Sequence, residues 1–260
     1  MALNRRFWGA TLFLVALPPA AVAQAGEELA MSEAAAVRAL MDNRLTPERD
    51  RALALALELG PRAGPELRAA VIAAAWAEIR GETDRPEGEA RGEAIGNFAY
   101  AVAGLRDRRG IPLLIELLPN APFASKLAEF DADVVFPPLI ETAADPGGHH
   151  SRIAGCLEAL RLMIEDGSLA ERQMSQVREV SRERLAGTHH RFVVTEAMRV
   201  GVALRDPGIR QVIERVAADR AAAEALVSPY LPSGEMVLDY PSTVDRVQET
   251  ARVLLASGGR

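Results

Sequence analysis

One phrase written twice constrains this chain more than any other feature: GLRDRRGIPLLIELL at 104–118 returns as ALRDPGIRQVIERV at 203–216. Counting back from Asp107, Asp166 and Asp206 gives Ala94, Phe98, Ala101 and Leu105, then Ile153, Leu157, Leu160 and Ile164, then Val193, Ala197, Val200 and Leu204. Each set runs i, i+4, i+7, i+11, so one apolar helical stripe stands three times at the same distance from an acidic stop. Ala52, Leu55 and Leu59 before Gly60-Pro61 form a shorter fourth copy.

The stretch after each stop repeats as well. Ile111, Leu114, Ile115 and Leu118, and likewise Ile209, Val212, Ile213 and Val216, run i, i+3, i+4, i+7. Leu-Arg-Asp therefore closes a first helix, Gly and Pro make the corner, and Asp206-Pro207 is a cap and first-turn pair opening a second helix. Asp166 and Asp206 lie 40 residues apart, within the range of two-helix repeats. The longer interval from Asp107 to Asp166 leaves room for an extra helix over about residues 130–145. With only 5% aromatic residues and a core to be built from Ala, Leu, Val and Ile, the expected class is all-α.

The segments ALELGPRAGPELRAAVIAA, VAGLRDRRGIPLLIELL and VALRDPGIRQVIERV resemble HEAT repeats, specifically the short HEAT-like type also found in phycobilisome lyases. The resemblance covers most of residues 47–220 and implies an α-solenoid of stacked helical hairpins whose apolar faces are completed by stacking. It implies a fold rather than a reaction, since it brings no identifiable catalytic residue. The polar second helix after Asp166, SLAERQMSQVREVSRERLAG, departs from the pattern, and a distorted stack is expected there. Residues 26–45 are expected to cap one end of a solenoid over 26–227. A Tyr- and Pro-containing loop and a closing helix, opened by a capping box at Ser242–Asp245, occupy 228–260.

The start of the chain reads differently. MALNRR is basic, FWGATLFLVAL is apolar and PPAAVAQA is a small-residue exit, the pattern of a signal peptide over 1–25, cleaved after Ala23 or Ala25. The apolar run is too short to span a bilayer, so no transmembrane segment is expected in the mature chain, which is read as exported, periplasmic or secreted. Losing Arg5 and Arg6 leaves 28 basic against 36 acidic residues, a net charge of −8 that offers no nucleic-acid footprint. The single Cys156 excludes an internal disulfide framework and reads as a small core residue.

Chemistry-bearing motifs are few. There is no nucleophile elbow, phosphate loop or His-Glu-x-x-His sequence, and Asp131-Ala132-Asp133 reads as a helix cap. All four histidines fall in two pairs, His149-His150 and His189-His190, 40 residues apart, each at the start of a first helix. Adjacent rows could bring two imidazoles to a shared divalent metal, completed by Glu196 or Asp145. The basic corner Arg106, Arg108 and Arg109 could hold an anionic partner. The long connection 228–241 carries Tyr230, Met236 and Tyr240, residue types favoured at protein interfaces. Two functions follow: a non-catalytic scaffold that binds a protein through second helices or this loop, with no cofactor, or a metal-binding protein or enzyme organised around the histidines.

Overall fold

The computed structural model describes residues 31–42, 44–118, 123–230, 236, 237 and 239–257, so the leader expected over 1–25 lies outside the described residues. These residues form thirteen α-helices, with two isolated bridge pairings and no strand among them. In chain order they are α1 (Glu33–Met41), α2 (Pro47–Leu59), α3 (Pro65–Arg80), α4 (Glu89–Leu105), α5 (Ile111–Glu116), α6 (Phe123–Ala128), α7 (Ala132–Ala144), α8 (His150–Glu165), α9 (Glu171–Ala186), α10 (Arg191–Ala203), α11 (Pro207–Ala218), α12 (Arg220–Leu226) and α13 (Tyr240–Ser257). The chain is all-α. No described helix is long and apolar enough to cross a membrane.

Most of these helices pack on the next in sequence and on another two places along. One row runs α2, α4, α6, α8, α10 and then α13; the other runs α1, α3, then by way of the single turn Arg108–Gly110 to α5, α7, α9, α11. A single apolar core runs between the rows, and the stripes read from the sequence supply it. Ala94, Phe98, Ala101, Leu105, Ile153, Leu157, Leu160, Val193, Ala197 and Val200 are all buried, as are Ile111, Leu114, Ile115, Leu118, Ile209, Ile213 and Val216. Ile164, Leu204, Val212, Leu55 and Leu59 are only partly buried against that core.

Short polar side chains begin the helices. Ser32, Thr46, Asp131, Asp206 and Asp219 each accept an amide hydrogen from the first turn that would otherwise be orphaned. At the C-termini of α4 and α10 the chain turns through Arg106 and Arg205, both at φ 51°, where glycine is the usual occupant. A left-handed non-glycine residue costs about 1 kcal/mol, and at both corners the following Asp, buried and capping the next turn, holds it in place. The third stop behaves otherwise: α8 ends on Gly167 at φ 74°, and Asp166 accepts from the Ser168 hydroxyl instead of capping a helix.

Three expectations need correction. The segment after Asp166 is polar but regular, folding into the sixteen-residue α9 with Val177, Val180, Ser181, Arg184 and Leu185 buried. Arg184 replaces apolar bulk there: its Nε and Nη2 donate to Ala143 O at 3.0 and 2.7 Å, and Nη2 also to Asp145 O at 2.8 Å, satisfying the end of α7. The interval from Asp107 to Asp166 holds two extra helices, α6 and α7, not one. The closing helix begins at Tyr240, so Ser242 lies inside its first turn and Asp239 takes the cap, accepting from Ser242 N at 3.4 Å.

Candidate functional site

The histidine pairs do meet, though not as equivalent pairs. α8 starts at residue 150 and α10 at 191, so the partner of His149 in register is His190, and each is the N-cap of its helix. His149 Nδ1 accepts from Ser151 N at 3.3 Å, and His190 Nδ1 from Phe192 N at 3.4 Å. Because α8 and α10 lie side by side, the rings pile up. His149 and His150 are 4.5 Å apart between centroids, His150 and His190 3.9 Å, and His190 and Phe192 4.9 Å.

Burial lowers the pKa of His150, with the His149 charge adding to it, and pushes that of His190 down to about 4, with His150, Arg191 and His149 acting in the same direction. Burial therefore favours the uncharged rings of His150 and His190. His150 Nδ1 is buried with no hydrogen-bond partner. His189 leaves the group: its backbone pairs with the end of α12, donating to Leu226 O at 2.9 Å and accepting from Ser228 N at 2.8 Å.

A metal is held by in-plane nitrogen lone pairs converging on one point, whereas stacking lays ring planes over one another. Among the described residues no three His, Cys, Asp or Glu side chains gather as a metal requires. The acids expected to complete such a site are occupied: Glu196 is engaged by Arg199, and Asp145 accepts from Gly147 N at 2.9 Å. Cys156 is buried, and burial pushes its thiol up to about 12, as suits a core residue rather than a nucleophile.

No known protein family, curated protein or solved structure matches the chain.

At the basic corner, Arg106, Arg108 and Arg109 border an open groove of about 710 Å³ with Arg68, Phe130 and Val134. Asp107 takes up much of this charge. Arg109 grips it at 2.6 Å and Arg68 lies at 3.9 Å, and the Arg109 guanidinium holds the Asp107 carboxyl at about 2. Arg106 pairs with Glu129 at 3.3 Å, which leaves the exposed Arg108 without an ion pair among the described residues.

The Tyr-containing segment divides too. Tyr230 and Met236 are exposed and bridge one another across residues 231–235, which lie outside the described residues. Tyr240 is committed inward: its hydroxyl shares its one hydrogen between Val227 O at 2.9 Å and Glu224 O at 3.2 Å, tying α13 to the end of α12.

Sequence reading passed over Phe192, Arg199 and Arg246, which share a groove between α10 and α13. No local motif marks them, because Arg246 lies 47 positions beyond Arg199 and meets the α10 residues only in the packed chain.

Proposed function

We propose that this chain is an exported, non-catalytic scaffold of HEAT-like repeats that binds another protein. The repeated stripes, the corner phrase and the two rows of helices support a solenoid, and the basic-apolar-small pattern of residues 1–25 supports export. The observation that carries the binding role is the distribution of exposed apolar side chains. Of the six large exposed apolar side chains on described helices, Leu57, Tyr100, Phe192 and Val253 stand on α2, α4, α10 and α13 in one row, against Met41 on α1 and Val134 on α7 in the other. Apolar surface spread along one row has the character of a contact surface, and it moves the favoured face from the second helices to the first.

In-cell crosslinking of the tagged chain with mass spectrometry of what is captured tests this reading. The expected result is a dominant partner crosslinked near the row that carries Leu57, Tyr100, Phe192 and Val253. Recovery of the uncrosslinked chain alone would overturn it. The histidine stack lends the metal or enzyme reading no comparable support, since His149 Nδ1 and His190 Nδ1 cap helices and the rings pack on one another.

A further inference from the structure

The groove between α10 and α13 concentrates positive charge on a chain that is negative overall. On α10 the residues Phe192, Thr195, Glu196 and Arg199 follow i, i+3, i+4, i+7; on α13 Arg246, Thr250 and Val253 follow i, i+4, i+7. These spacings put each set on one helix face, and all but Val253 line the groove together with Arg191 and Val247.

Three guanidiniums, from Arg191, Arg199 and Arg246, therefore face one acid. Of the three, that acid pairs only with Arg199, through Oε1, and leaves Arg191 and Arg246 unneutralised. Glu196 is buried, its Oε2 has no hydrogen-bond partner, and the nearest further cation, Arg161 Nε, stands 3.8 Å away with no hydrogen bond of its own. Burial also raises the pKa of Glu196, with the Glu158 charge adding to that effect against Arg199 and Arg161. Arg246 makes no ion pair among the described residues, and Arg191 sits over the Phe192 ring at 4.7 Å instead of on a carboxylate. The α13 acids that could reach back are engaged elsewhere, Asp245 with Arg220 and Glu249 with Arg252.

We infer that this groove is a docking site for an acidic, apolar-flanked peptide segment of a partner protein, whose carboxylates meet Arg191, Arg199 and Arg246 while its apolar residues cover Phe192 and Val253. Charge complementarity selects the occupant: on a chain of net charge −6, two arginines without ion pairs, Arg191 and Arg246, beside the Glu196-paired Arg199 attract carboxylates locally. The exposed Phe192, at 44% exposure, and Val253, at 53%, favour a peptide with apolar residues over a small anion. Arginine and aromatic side chains are also the usual energetic centres of such contacts.

The inference rests on the scaffold reading and sharpens it, and the two can fail separately. Fluorescence polarisation of the mature chain with a fluorescein-labelled peptide of Glu-Glu-Leu repeats tests the groove directly. The peptide should bind, and its glutamine-for-glutamate counterpart should bind at least about tenfold more weakly. The pair Arg191→Ala/Arg246→Ala, the first half-buried and the second exposed, should cost at least about tenfold in affinity with the circular dichroism spectrum unchanged. The pair Arg172→Ala/Arg215→Ala, which removes the same charge elsewhere, should cost less than about threefold. No binding, equal losses from the two pairs, or equal binding of the glutamine peptide would each overturn the assignment. A partner captured in cells but crosslinked away from α10 and α13 would leave the scaffold standing and remove this groove from it.

Discussion

At the scale of single residues, the most consequential side chains are polar ones placed where apolar ones are the rule. Arg49 on α2 is 1% exposed and donates to Leu40 O at 3.0 Å and Asp42 O at 2.7 Å, closing the end of α1, with Glu78 as its counter-ion at 3.4 Å. Arg184 performs the same service for α7. A cation at a helix C-terminus meets the negative end of the helix dipole and its unpaired carbonyls together.

Three of the histidines, His150 and His190 of the stack and the separate His189, have the opposite electrostatics. His190 is held near 4 and His150 and His189 are also lowered, all three by burial first, so the unfolded chain takes up protons below about pH 6.5 that the native chain refuses. Stability should fall as pH drops from 7 toward 4. Glu196, raised by burial, works in the reverse sense over the acidic part of that range, so the histidine contribution is best isolated by difference. His190→Asn keeps a capping side chain and removes the titration. Urea midpoints measured at pH 7.5 and 5 should converge between wild type and this variant as pH falls. A constant gap would show that His190 does not titrate differently in the folded state.

At the scale of elements, the two copies of the corner phrase solve one packing problem in opposite ways. Five residues before each corner Asp and three after it, the pairs are Val102 with Gly110 and Gly201 with Ile209. A Cβ added to Gly110 would run into Val102 Cγ1, and one added to Gly201 into Ile209 Cγ2 and Cβ. The first and second helices approach so closely that only one of the two positions can carry a branched side chain, and each corner puts it on a different helix. Gly201→Val should therefore destabilise by about 1–3 kcal/mol through overpacking, and Ile209→Gly by about 3–5 kcal/mol through a cavity and a helical glycine. The double variant, which reproduces the other corner, should be more stable than the sum of the singles by at least about 1 kcal/mol. Strict additivity in denaturant titrations would mean that the two positions do not share a contact.

At the scale of the whole molecule, the core is a strip between two rows and must be closed at its ends. α1 packs on α2 and α3 at one end; α13 covers α10, α11 and α12 at the other. Val244, Val247 and Ala251 of α13 are fully buried, and Gln248 and Arg252 donate to Val216 O and Ala217 O, each at 3.3 Å, at the end of α11. Ending the chain before Tyr240 would uncover Ile213 and Val216, each worth about 1.5–3 kcal/mol when fully buried. Such a truncated chain should melt at a markedly lower temperature and bind a hydrophobic dye that the full chain excludes. An unchanged melting temperature would show that α13 is an appendage, not a cover.

Sequence by itself determined the all-α class, the buried stripes and the corners, because helical periodicity, capping and the Leu-Arg-Asp phrase are local properties of neighbouring residues. It also placed the histidines at helix starts. Only the tertiary structure decided that α9 stays regular by burying Arg184, that His149 answers to His190 and not His189, and that Tyr240 points inward. The same holds for Arg191, Arg199 and Arg246, which converge beside Phe192. Each of these depends on which helix lies next to which, and in a chain of similar amphipathic helices that choice is made by close packing across the rows, where a glycine, a buried arginine or a one-residue shift in a helix start changes which side chains meet.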